Sequence, residues 1–117
     1  MINLALFGAG RIGSIHAENV ARHPRARLVA VHDPFKANAV RLCENVGCKQ
    51  MTPDQIFASE DIDAVLICSA TDTHADLIEQ AVAAGKHVFC EKPIDLSLQR
   101  VRKCLELVSQ SDCITTV

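Results

Sequence analysis

The strongest constraint on this chain is a junction near its start. The apolar run Ile2-Asn3-Leu4-Ala5-Leu6-Phe7 stops abruptly at Gly8-Ala9-Gly10-Arg11-Ile12-Gly13. A run of apolar residues with little polar alternation predicts a strand covered on both faces. The segment after Gly10 predicts a helix that ends near His23, because Pro24 cannot continue it. Strand, glycine turn and helix in immediate succession leave few folds open.

The same alternation continues to the end of the chain. Further strands are predicted over 27–33, 49–51, 64–68, 87–91 and 113–117, in addition to 2–7. A second helix is predicted over 35–46, with Gly47 as a left-handed stop. Thr52-Pro53-Asp54-Gln55 has the capping-box pattern with proline at the first helical position. Leu77, Ile78, Ala81 and Val82 form an apolar stripe that ends at Gly85. Leu98, Val101, Cys104, Leu105 and Val108 form another after Ser97. Strand alternating with helix implies right-handed crossovers. The expected fold is α/β, a Rossmann-type doubly wound parallel sheet of about six strands, in the order 3-2-1-4-5-6.

Composition fits one domain over residues 1–117, since 49% hydrophobic content supplies a sizeable core. Twelve basic and 14 acidic residues give a net charge of −2 without a basic block. Nucleic acid and an anionic membrane surface are therefore not expected partners. No apolar stretch approaches the roughly 20 residues that span a bilayer, and no basic leader precedes the first strand. The six cysteines are scattered through apolar segments and none pair as C-x-x-C. They are expected to be reduced packing residues, with no metal site and a cytoplasmic location.

The glycine turn carries the first functional expectation. Gly8 makes the tight turn, Gly10 admits a pyrophosphate to the backbone, and Gly13 lets the helix pack on the strand. The helix N-terminus, at Arg11 and Ile12, offers unpaired N–H groups and the positive end of its dipole. Asp33, 20 residues after Gly13, stands at the end of the second strand, where a carboxylate accepts both ribose hydroxyls. A 2′-phosphate would meet like charge there, so NAD is expected over NADP, with Lys36 close enough to soften the preference.

Two other segments are poorly explained by packing. One is Ser69-Ala70-Thr71-Asp72-Thr73-His74. The other is Gly85-Lys86-His87-Val88-Phe89-Cys90-Glu91-Lys92-Pro93. With the glycine turn, these resemble the Gfo/Idh/MocA family of sugar and polyol dehydrogenases over essentially the whole chain. Glu91-Lys92-Pro93 is the most specific element. Thr71-Asp72-Thr73-His74 and Glu91-Lys92-Pro93-Ile94-Asp95-Leu96 are most like the members that oxidise inositol.

The resemblance implies hydride transfer from a small polyol or sugar to NAD. It implies Lys92 as the catalytic residue, hydrogen-bonded to the hydroxyl being oxidised. Cofactor contacts are then expected from Gly8, Gly10, Arg11, Ile12, Gly13, Asp33, Ser69, Thr71, His74, Glu91, Lys92 and Pro93. His74 is expected to shape the cofactor pocket, and Pro93 to fix its loop, with a cis Lys92–Pro93 bond admissible. His16, His23, His32 and His87 show no partner pattern and read as ordinary surface or half-buried residues.

Family members continue past the sixth strand into an α+β domain that binds substrate and takes the hydroxyl proton. That domain is expected to be absent from residues 1–117, so this stretch is expected to bind cofactor without catalysing. The full-length parent is expected to be a homo-oligomer. Two other readings compete. Gly10-Arg11-Ile12-Gly13 and Asp33-Pro34-Phe35 also resemble glyceraldehyde-phosphate dehydrogenases, but Cys113-Ile114-Thr115-Thr116 poorly imitates their nucleophile segment. An NAD-reading sensor without chemistry is the alternative of a different class, and it would have no need of Lys92.

Overall fold

A computed structural model describes residues 1–117. The strands are β1 (Ile2–Phe7), β2 (Ala26–His32), β3 (Lys49–Gln50), β4 (Ala64–Ile67), β5 (His87–Cys90) and β6 (Thr115–Thr116). The helices are α1 (Arg11–Arg22), α2 (Lys36–Val46), α3 (Pro53–Ala58), α4 (His74–Ala83) and α5 (Leu98–Ser109), with a 3-10 turn at Thr71–Thr73. All six strands are parallel, in the order β3-β2-β1-β4-β5-β6. The expected doubly wound fold is the one observed.

Both edge strands are shorter than expected: β3 ends at Gln50, with the Met51 N–H still donating to the Val31 carbonyl, and β6 is reduced to Thr115–Thr116. Before β6, the Cys113 N–H donates to Ser111 Oγ and the Ile114 N–H to His87 Nδ1. After β3, Thr52 leaves the sheet to cap α3. Its N–H donates to Gln55 Oε1 and its hydroxyl accepts from the Gln55 N–H.

Alternation along the strands sorts the core into two layers. Ala5, Phe7, Val65, Ile67, Val88 and Cys90 pack against α3, α4 and α5 through Ile56, Ile78 and Cys104. Leu6, Leu28, Val31, Leu66 and Cys68 pack against α1 and α2 through Ala17, Ala39 and Leu42. Each large side chain so buried contributes about 1.5–3 kcal/mol. The β1–β2 register slips by one residue between Leu4 and Ala5, which pair with Leu28 and Ala30. The bulge at Val29 is what lets Leu28 and Val31 share a face.

Two polar devices fix the helices. Lys86 is buried and donates to the Ser59 and Ile62 carbonyls at 2.7 and 2.9 Å. Its ammonium thus sits just beyond the C-terminus of α3, where the helix dipole favours a cation. Arg100 of α5 grips Glu79 of α4 with two hydrogen bonds of 2.7 and 2.8 Å, and Asp76 at 2.6 Å. Cys43, Cys68, Cys90 and Cys104 are buried, and all six thiols are free. No helix is long and apolar enough to cross a membrane.

Candidate functional site

Parallel strands deliver the singled-out segments to one place, the carboxyl edge of the sheet. Gly8 leaves β1 with φ of 93°, and a β-carbon there would lie 2.5 Å from the Cys68 carbonyl oxygen. Neither the angle nor the space admits a side chain. At Gly13 a β-carbon would overlap the Gly8 carbonyl before approaching the Cys68 β-carbon at 3.6 Å. Gly13 therefore seats α1 chiefly on the turn itself, more than on the strand behind it. Gly10 is exposed with nothing within 4 Å of where its β-carbon would be.

That open space lies at the start of α1. The helix has no side-chain cap and no acidic residue in its first turn. Its first N–H groups and dipole are consequently unneutralised, an arrangement suited to an anion. Arg11 and Ile12, the first two helical residues, are exposed.

Asp33, immediately after β2, braces the turn from the side. Its Oδ2 accepts from the Ala9 N–H at 2.7 Å and its Oδ1 from the Phe35 N–H at 2.8 Å. A carboxylate has about four acceptor positions, so both oxygens keep capacity for further donors. A cleft of about 270 Å³ adjoins this point, lined by Gly8, Pro34, Ser69, Thr73 and Leu77 among others. A second, of about 320 Å³, lies between Asp33, Lys36, Thr52 and Gln55.

Across the edge, the segment after β4 is tied to itself and to the loop after β5. The Thr73 hydroxyl donates to the Ala70 carbonyl at 2.6 Å and accepts from the Ser69 hydroxyl at 2.7 Å. Thr71 is half-buried in the 3-10 turn. His74 is only 2% exposed. Its Nδ1 lies 2.7 Å from the Pro93 carbonyl and its Nε2 2.9 Å from the Ser69 carbonyl. The imidazole shapes the edge from within, by joining two loops.

Glu91 points to the opposite face. Its Oε1 lies 2.7 Å from His16 Nε2, on α1, and the imidazole stacks edge-on to Phe89 at 5.3 Å. The hydrogen bond from His16 holds the Glu91 carboxyl below the usual carboxylate range, against the opposing effect of partial burial. His16 is half-buried, as expected, and in addition has a specific partner not identified from the sequence. The signal was present but indirect. His16 follows Gly13 by one turn on the buried stripe of Gly13 and Ala17. Glu91 alternates with Cys90, so it shares the α1 face with Phe89.

Lys92 and Pro93 are exposed, and the peptide bond between them is cis. The nearby Cys68 thiol is pushed up to about 12, first by burial and then by Glu91, and stays protonated. It offers no nucleophile at neutral pH.

Comparison with known proteins agrees with this geometry. The family GFO_IDH_MocA, described as an oxidoreductase family with an NAD-binding Rossmann fold, matches residues 2–117. An inositol 2-dehydrogenase of Rhizobium meliloti is 54% identical over 110 residues, covering 94% of this chain and 33% of that protein. A scyllo-inositol 2-dehydrogenase (NAD(+)) of Bacillus subtilis is 39% identical over 119 residues, covering 99% of this chain and 35% of that protein. The crystal structure of a myo-inositol dehydrogenase from Corynebacterium glutamicum superposes with a TM-score of 0.88 at 48% identity. That match covers 94% of this chain and 33% of that one. The chain spans about a third of the length of the curated relatives it matches.

Proposed function

The chain belongs to the Gfo/Idh/MocA oxidoreductase family, and we propose on that premise that it is the NAD-binding part of an enzyme that oxidises a hydroxyl of inositol or a similar polyol. The observation that carries the reading is convergence on one edge. The unneutralised start of α1, the braced Asp33 and the exposed Lys92 all stand there.

The pyrophosphate of the dinucleotide lies against Gly10, Arg11 and Ile12, where N–H groups and dipole favour negative charge. Asp33 accepts the adenosine ribose hydroxyls with its remaining lone pairs. Its negative charge disfavours a 2′-phosphate, which makes NAD the preferred cofactor over NADP. The apolar cleft beside Gly8 and Leu77 takes the adenine. Ser69, Thr71 and the segment 91–93 border the nicotinamide end.

The bound cofactor supplies a hydride acceptor. Lys92 hydrogen-bonds the reacting hydroxyl and holds the alcohol carbon near the acceptor, a positioning role worth several kcal/mol when geometry is close to attack. The base that takes the hydroxyl proton, and the second wall of the substrate pocket, belong to residues outside 1–117.

The test is turnover by the full-length protein with myo- or scyllo-inositol and each dinucleotide, followed by reduced-cofactor absorbance. The expected result is reduction of NAD with at least one inositol, and weaker reduction of NADP. Failure to bind either dinucleotide by titration calorimetry would overturn the reading.

A further inference from the structure

Lys92 is exposed and its ammonium has no hydrogen-bond or ion-pair partner within the chain, yet its neighbours are held from both faces of the sheet. On one face, His16 of α1 takes the Glu91 side chain at 2.7 Å. On the other, His74 of α4 places Nδ1 2.7 Å from the Pro93 carbonyl and Nε2 2.9 Å from the Ser69 carbonyl, and in the neutral form its single N–H serves one of the two. The lysine therefore hangs between Glu91, whose N–H donates to the Ile67 carbonyl and whose side chain meets His16, and Pro93, whose carbonyl faces His74.

We propose that His16 and His74 are positioning residues, which clamp the Glu91–Lys92–Pro93 segment and thereby set where the Lys92 ammonium stands over the carboxyl edge. The proposal rests on the reading of Lys92 given above. Its physical basis is entropic. A lysine ammonium rides on a flexible four-carbon stem, so backbone freedom at its base multiplies the volume it searches. Misplacement of a reacting group by about 1 Å can cost about 100-fold in rate.

The two clamps differ in chemistry. His16 meets a carboxylate, so any side chain that keeps an N–H at that reach can replace it in part. His74 faces two carbonyl oxygens, and a neutral imidazole has one N–H for the pair. No shorter side chain spans both acceptors. His16 also ties the segment to α1, the helix whose N-terminus carries the glycine turn. His74 ties it to the loop that holds Ser69. The clamps thus link the lysine to both neighbouring parts of the site.

The experiment uses the full-length protein with NAD bound, as His16→Ala, His16→Gln and His74→Ala, each alone and with Lys92→Ala. Amide exchange at Glu91, whose N–H donates to the Ile67 carbonyl at 2.9 Å, is measured beside kcat, KM and NAD affinity. His16→Ala is expected to speed exchange at that amide and lower kcat about tenfold, with NAD affinity within about twofold. His16→Gln should recover most of both losses. In the Lys92→Ala background His16→Ala should cost no further turnover, since its effect runs through the lysine. His74→Ala should behave like His16→Ala, and if it fails to fold the His16 series still decides the matter.

Unchanged exchange at Glu91 in His16→Ala would overturn the proposal. So would a kcat loss that persists undiminished without Lys92. If Lys92→Ala alone leaves turnover intact, the functional reading of Lys92 fails instead, while the exchange data still report whether the histidines hold the segment.

Discussion

At the β1–α1 turn the site is fixed by backbone sterics, whereas at the loop after β5 it is fixed by side chains borrowed from elsewhere. Gly8 and Gly13 close on each other and on the end of β4 without a side chain of their own, and Asp33 locks the turn through two N–H groups. The segment around Lys92 depends on a histidine 75 residues before Glu91 and another 19 residues before Pro93. The first arrangement suits an anion, which needs a rigid array of N–H donors. The second suits a reacting group, whose placement is tuned from two directions.

The contrast is broken most directly at Gly8. A side chain there would combine an unfavourable positive φ with overlap of the Cys68 carbonyl. Gly8→Ala is therefore expected to cost about 3 kcal/mol or more of folding stability. Urea denaturation measures it, and a loss under about 1 kcal/mol would show that the turn yields more easily than its geometry implies.

Lys92→Ala should do the reverse. The side chain is exposed and unpaired, so stability should stay within about 0.5 kcal/mol. Turnover of the full-length protein should nevertheless fall about 100-fold or more, on the scale of misplacing a reacting group by about 1 Å. Steady-state kinetics beside NAD calorimetry separate the two effects. Near-normal turnover would remove Lys92 from the mechanism.

These opposite outcomes explain what could be read from the sequence. The turn is contiguous, and its physics is written in residue types that admit few conformations, so strand, glycines and Asp33 were legible together. Alternation pointed to a doubly wound parallel sheet, and six strands sufficed for the 3-2-1-4-5-6 order that is observed. The resemblance picked out Lys92, but nothing local to it marks His16 as a partner of Glu91. That pairing needs α1 laid across the sheet to β5. The brevity of β6 was hidden for a related reason. It depends on where Cys113 and Ile114 send their N–H groups, which an apolar run does not encode.

Asp33 stands between the two cases, since it braces the turn and, on the proposed reading, also accepts the cofactor's ribose hydroxyls. Asp33→Ala removes the acceptor of the Ala9 and Phe35 N–H groups, each bond to a charged acceptor being worth about 1.5–3 kcal/mol. NAD affinity should fall at least about tenfold, and NADP affinity much less, because the like charge facing a 2′-phosphate goes with it. Titration calorimetry with both cofactors decides. Equal losses would mean that Asp33 acts only as a brace.

The smallest expected effect is the pH dependence of the His16–Glu91 contact. The Glu91 carboxyl is held below its ordinary value of 4.5, chiefly by the hydrogen bond from His16. A group whose folded pKa is lowered contributes stability that is fully present above its unfolded value, and that is lost as pH falls through the folded value. The His16 clamp should therefore loosen only below about pH 4.5. Both side chains are about a quarter exposed, at 25% and 24%, so the contribution is about 0.2–1 kcal/mol. Glu79, lowered in the same sense by Arg100, will weaken α4–α5 contacts over a similar range. A global measurement would merge the two. Amide exchange resolved by residue, corrected for intrinsic rates, separates them. On acidification, protection at Glu91, whose N–H donates to the Ile67 carbonyl, should fall before protection at Gly8, whose N–H donates to the His32 carbonyl beside the Asp33 brace. In Glu91→Gln that early loss should vanish, because an amide keeps a hydrogen bond to His16 at every pH. If protection at Gly8 and Glu91 falls together in the unsubstituted protein, the two regions are one cooperative unit, and the clamp has no separate acid response.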